Sequence, residues 1–143
     1  MSSSSSSTAA ARQRDVPLIL IVEDHQDTRQ MYAEFLGIGF QVLTAANGEE
    51  ALDVVRTHPP DLLITDLSLP GIDGFELIAL LRQDPALVQM PIICLSGYSG
   101  DVFEERARAA GSDRVLLKPC MPDKLAQVAA EVIQGTTRRR ADS

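Results

Sequence analysis

Short runs of consecutive apolar residues, each separated by a stretch with helical periodicity, limit what this chain can fold into more than any other feature. Leu18–Val22 and residues 62–64, 92–95 and 115–117 carry no polar interruption. A strand that is apolar at every position has both faces buried, as in a parallel sheet covered by helices on each side; a half-exposed strand would alternate. Residues 40–45 mix polar with apolar side chains and are expected nearer a sheet edge. Between the strands, Met31, Phe35 and Ile38, with Tyr32 and Leu36 beside them, form an apolar helical stripe that Gly37 and Gly39 stop. Asn47 before Glu50 and Asp73 before Glu76 are capping-box pairs. Leu52 and Val55 follow the first box, and Phe75, Ile78 and Leu81 the second. In the last segment Leu125, Val128, Ala129, Val132 and Ile133 share one helical face, and Pro122 stands in its first turn. Alternating β–α units with short connections imply an α/β fold: a doubly wound, five-stranded parallel sheet with helices on both faces.

In such sheets the working site lies beyond the carboxyl ends of the strands, near the switch in strand order. The strand ends carry Glu23-Asp24, Asp66, Ser96 and Lys118-Pro119, while the second strand ends in Thr44-Ala45-Ala46 and offers little. Three carboxylates brought to one rim repel one another, and a divalent cation relieves that conflict. Mg²⁺ fits, because it takes oxygen ligands and shares carboxylates with phosphate; Mn²⁺ is the alternative ion. Asp66 is then the expected nucleophile and one metal ligand, with Glu23 and Asp24 holding the ion directly or through water. Aspartyl phosphates are an established product of carboxylate nucleophiles. Lys118 is expected to pair with Asp66 before reaction and with the phosphoryl group after it, and the Ser96 hydroxyl to donate to a phosphoryl oxygen.

These residues give the chain a resemblance to the receiver domain of two-component response regulators. It spans residues 16–135 and rests on Val22-Glu23-Asp24, Asp66-Leu67-Ser68-Leu69-Pro70-Gly71-Ile72-Asp73-Gly74, Leu95-Ser96-Gly97-Tyr98 and Leu117-Lys118-Pro119, in that order. The resemblance implies a flavodoxin-like receiver fold with strand order 2-1-3-4-5. It implies that Asp66 is the phosphoacceptor and that the donor is a phosphohistidine on a sensor histidine kinase or histidine phosphotransfer protein. It also implies a metal site of Glu23, Asp24, Asp66 and the main-chain carbonyl of Ser68, and a cis bond between Lys118 and Pro119. One position departs from the family: an aromatic residue usually stands three positions before the lysine, and here it is Val115. The usual aromatic toggle cannot operate from that position. Tyr98 is a candidate to cover the site or slow the access of water to an acyl phosphate.

The rest of the chain narrows the alternatives. With 143 residues it suits one domain, and its net charge of −7 disfavours nucleic acid as a partner. Residues 1–15 read as a disordered Ser-rich tail, 16–135 as the receiver, and 136–143 as a tail carrying Arg138-Arg139-Arg140. No run spans a bilayer and no secretory leader is evident, so a cytoplasmic location is expected. Cys94 and Cys120 lack CxxC spacing and read as reduced core thiols. His25, next to the acid pair, reads as a structural or solvated residue at a helix start. No segment outside the receiver suits an output domain, so output is expected from an unidentified downstream protein, from the tail or from onward relay. An excised receiver and a homodimer through the fifth-unit face both stay open. The competing functions are a receiver-like binding module that is never phosphorylated and an aspartyl phosphatase. The phosphatase reading lacks the second acid, since Ser68 stands two residues after the nucleophile, and it lacks a cap domain.

Overall fold

The computed structural model describes residues 16–97 and 101–142. The expected Ser-rich tail and Tyr98 lie outside the described residues. Five strands, β1 Leu18–Val22, β2 Gln41–Ala45, β3 Leu62–Asp66, β4 Ile92–Ser96 and β5 Arg114–Leu117, form one parallel sheet in the order β2-β1-β3-β4-β5. Five helices alternate with them: α1 Gln26–Leu36, α2 Gly48–Thr57, α3 Gly74–Arg82, α4 Asp101–Ala110 and α5 Pro122–Asp142. A 3₁₀ turn at Pro85–Leu87 leads into β4. Fold class and strand order are those expected.

The pleat divides the core in two. Leu20, Val22, Leu63, Ile92 and Cys94 join Ala51, Val55, Leu77, Ile78, Leu81 and Ala107 from α2, α3 and α4. The alternate residues Ile19, Ile21, Leu62, Ile64, Ile93 and Leu95 join Tyr32 and Leu36 of α1 and Leu125, Val128, Ala129 and Val132 of α5. Side chains alternate across a strand, so an unbroken apolar run feeds both layers. Every residue of β1, β3 and β4 is buried.

Two expectations need correction. β5 was expected to be buried on both faces, but it closes the free edge of the sheet and is only partly covered, with Leu117 56% exposed. A three-residue apolar run cannot distinguish a central strand from an edge strand. In α1 the buried pair is Tyr32 and Leu36, while Met31, Phe35 and Ile38 face out. Both sets repeat at helical spacing, and packing against α5 selects between them. The last helix, α5, runs from Pro122 to Asp142. Thr136 is buried and its Oγ1 donates to the Val132 carbonyl at 3.0 Å, continuing the buried face by one turn.

The caps explain where α2 and α3 begin. Asn47 Oδ1 accepts from the Glu50 N–H at 2.8 Å, and Glu50 reaches back to the Ala46 N–H rather than to its own cap residue. At α3 the box is complete: Asp73 and Glu76 each accept the other's backbone N–H. Cys94 and Cys120 are free and buried, as expected, and burial pushes the Cys94 thiol up to about 12. A thiol held protonated in an apolar layer is inert.

Tyr32 ties α1 to the loop after β5, its hydroxyl donating to the Cys120 carbonyl at 2.7 Å. Burial, aided by the negative groups Cys120, Glu23 and Asp66, pushes this phenol up to about 12. A Tyr32→Phe variant leaves that carbonyl without its buried donor, and urea unfolding should register a loss of about 1–2 kcal/mol. An unchanged midpoint would mean that the loop finds another donor.

Candidate functional site

The carboxyl ends of β1, β3, β4 and β5 converge on one rim. Register alone brings this about: Val22 pairs with Thr65, Asp66 with Leu95, and Ser96 with Leu117. Glu23, Asp24, Asp66, Ser96 and Lys118 therefore each stand at or just past a strand end, although they are far apart along the chain. Glu23, Asp66 and Ser96 are buried, at 1%, 2% and 1% exposure. Polar groups are seldom buried this deeply unless they are paired or await a partner.

Asp66 is held from two sides. Its Oδ2 accepts from Lys118 Nζ at 2.5 Å, and its Oδ1 accepts from the Ser68 N–H at 3.1 Å. The same ammonium lies 3.6 Å from Glu23 Oε1. Burial pulls the Lys118 ammonium down, but the bond to Asp66 and the charges of Asp66 and Glu23 outweigh it, so its pKa is raised. Lys118 is thereby fixed in its charged form, and the loop carrying it is anchored by its own N–H on the Ser96 carbonyl at 2.7 Å. The Lys118-Pro119 bond is cis, as expected.

The acid pair is positioned by contacts with no obvious sequence signal. Glu23 extends β1 by donating its N–H to the Ala45 carbonyl at 3.0 Å, and Arg29 Nη1 holds the Glu23 carbonyl at 2.9 Å from the first turns of α1. Glu23 Oε2 accepts the His25 N–H at 3.0 Å and also lies 3.2 Å from the His25 ring Nδ1. His25, read from the sequence as structural or solvated, thus touches the acid pair while keeping its side chain 75% exposed. Two further oxygens, Glu23 Oε1, 3.6 Å from the Lys118 ammonium, and Asp24 Oδ1, 3.4 Å from the His25 ring Nδ1, are buried and accept no hydrogen bond. Leaving a buried carboxylate oxygen without a donor costs free energy unless a cation completes it. The donor set therefore fits a small divalent ion with oxygen preference, held by Glu23 and Asp24 beside Asp66.

The loop between β3 and α3 is packed down rather than loose. Gly71 takes a φ of +73°, and Ile72 lies against Gly48 at the start of α2. Gly74 sits directly on the strand end, its N–H donating to the Leu67 carbonyl at 3.0 Å. Val115, where the family has an aromatic side chain, pairs with Cys94 and packs partly buried against the layer of α2, α3 and α4. Arg106 of α4 lies over the Phe75 ring of α3, 4.0 Å from its centroid.

A doubly wound sheet with an acid pair, a buried aspartate, a hydroxyl and a lysine on its switch-point rim defines a class of signalling folds. Residues 19–130 match the response regulator receiver domain family, and the chain belongs to it. The polar-differentiation response regulator DivK of Brucella anthropi is 32% identical over 102 residues, 71% of this chain and 83% of that protein. The chemotaxis protein CheY4 of Vibrio cholerae superposes with a TM-score of 0.78 at 30% identity, over 82% of this chain and 98% of that one. A CheY-like receiver domain from Methanospirillum hungatei gives 0.81 at 25% identity, over 87% and 99%. The chain is a receiver domain of two-component signalling. Among the described residues, no helix is long and apolar enough to cross a membrane.

Proposed function

We propose that this receiver accepts a phosphoryl group on Asp66 from a phosphohistidine of a sensor histidine kinase or phosphotransfer protein, and that the phospho-aspartate changes the surface built by α4, β5 and α5. The observation that carries this reading is the pairing of a nearly inaccessible aspartate with a charged lysine, beside two buried carboxylate oxygens that lack donors. In the transfer, a carboxylate oxygen of Asp66 bonds to phosphorus while the nitrogen–phosphorus bond of the donor histidine breaks and its electron pair returns to the imidazole. Lys118 keeps its proton throughout and shifts its hydrogen bond from the aspartate to a phosphoryl oxygen. The Ser96 hydroxyl, at the adjacent strand end, donates to a second oxygen.

Mg²⁺, held by Glu23, Asp24, Asp66 and the Ser68 carbonyl, would neutralise charge on the phosphoryl oxygens. With Val115 already packed inward there is no ring to swing, so switching relies on Ser96 and on α4, whose Arg106–Phe75 contact joins it to α3. The reading of an unphosphorylated binding module gains no support, since none of the reactive groups is displaced from the rim.

Intact mass after incubation with Mg²⁺ and acetyl phosphate tests the proposal. Wild type should gain one phosphoryl group, and EDTA or Asp66→Asn should abolish the gain. Equal labelling of the variant would move the acceptor elsewhere, and no labelling of wild type beside a competent control receiver would leave a binding module.

A further inference from the structure

The metal reading of the acid pair assigns oxygen ligands only, yet a nitrogen stands at the same place. The Nδ1 of His25 lies 3.2 Å from Glu23 Oε2 and 3.4 Å from Asp24 Oδ1. One ligand atom from each of Glu23, Asp24 and His25 falls within 4.8 Å of the other two. Adjacent ligands of an octahedral ion with bonds of about 2.1 Å sit about 3 Å apart, so the ring is spaced from both acids much as a neighbouring ligand would be. A plain hydrogen bond would explain one of these contacts. It does not account for Glu23 Oε1, which is buried and accepts no hydrogen bond, the Lys118 ammonium standing off at 3.6 Å, while Glu23 as a whole is 1% exposed.

We infer that His25 is an additional ligand of this site and shifts its preference from Mg²⁺ towards borderline transition-metal ions such as Mn²⁺ and Ni²⁺. The inference rests on the metal reading of the acid pair given above. Mg²⁺ gains little from an imidazole, whereas affinity for nitrogen ligands rises along the series from Mn²⁺ to Cu²⁺. The ring is mostly exposed, and Nδ1 presents a lone pair once the ring proton sits on Nε2. The Asp24 side chain is 30% exposed, which leaves the outer side of the cluster accessible to an entering ion.

The test uses the full chain without an affinity tag, stripped of metal and titrated calorimetrically with Mg²⁺, Mn²⁺ and Ni²⁺. Wild type is compared with His25→Ala and with a Glu23→Gln/Asp24→Asn double variant. Removing one nitrogen ligand should weaken Ni²⁺ at least about tenfold and Mn²⁺ less, while Mg²⁺ affinity stays within about twofold. Because the chain has only two histidines, His25 and His58, pulsed EPR of the Mn²⁺ complex can assign a nitrogen coupling. The coupling should be present in wild type and lost in His25→Ala. Equal affinities in wild type and His25→Ala with no nitrogen coupling would reduce His25 to a hydrogen-bond partner and overturn the inference, leaving Mg²⁺ binding intact. Ni²⁺ binding that survives the double variant would likewise overturn it, as capture by a surface imidazole alone. If wild type binds no divalent ion, the metal reading and the inference fall together.

Discussion

A Lys118→Met variant should unfold about 2–3 kcal/mol more readily than wild type in metal-free buffer near neutral pH. The change removes the ammonium that donates to Asp66 Oδ2 and approaches Glu23 Oε1, leaving two nearly inaccessible carboxylates facing one another. The figure lies at or below the usual cost of breaking a buried pair because the Lys118 side chain is 29% exposed and part of the penalty is screened. The pH dependence has a definite sign. Folding raises the Lys118 pKa above its ordinary 10.5, so its stabilisation is complete below 10.5 and is lost as pH climbs through the higher folded value. The gap between wild type and Lys118→Met should therefore narrow only in strongly alkaline buffer. Mg²⁺ should also restore more stability to the variant than it adds to wild type, because the ion then supplies the positive charge that Lys118 no longer brings to Asp66 and Glu23. Urea unfolding followed by circular dichroism, with EDTA or Mg²⁺, measures both. A gap that widens above the lysine value would refute the assignment of charge.

Gly74→Ala should cost about 3 kcal/mol, at the upper end for overpacking, because the obstacle is main chain rather than a side chain that can turn away. A Cβ at this position would stand 2.5 Å from the Asp66 carbonyl oxygen and 2.6 Å from Leu67 Cα. Gly74 is buried and its N–H is bonded to the Leu67 carbonyl, so the strand end and α3 cannot separate without losing that bond. Relief of the clash has to displace the Asp66 backbone, so phosphorylation should slow in whatever fraction folds. Gly97→Ala is the control, since among the described residues nothing beyond its chain neighbours lies within 4 Å of a Cβ built there. Comparable denaturation midpoints for the two variants would contradict this account.

Much of the rim is legible in the sequence. An unbroken apolar run announces a strand buried on both faces, and the residue that ends it is carried to the edge of the sheet wherever its neighbours lie. Glu23, Asp24, Asp66, Ser96 and Lys118 were found that way, because strand ends are a one-dimensional feature. The caps at Asn47 and Asp73 were equally visible, since capping acts within four residues. Arg29, which grips the Glu23 carbonyl, carries no such signal: a basic residue in an amphipathic helix ordinarily faces water. His25 reads from the sequence as a structural or solvated residue at a helix start, and only the folded turn brings its Nδ1 between two carboxylates.

Local periodicity and spacing thus determined the order of elements, the parallel sheet and which polar side chains end the strands, because those depend on residues adjacent in the chain. The tertiary structure decided what depends on partners distant in the chain. Tyr32 and Leu36 rather than Met31 and Phe35 face inward because α5 packs there. β5 is an edge because the sheet ends with it, and α5 runs on through Thr136 because there is still protein to cover. Above all, the pairing of Asp66 with Lys118 and the two carboxylate oxygens left without donors arise from convergence of four strand ends, and no spacing along the chain encodes which oxygen finds a partner.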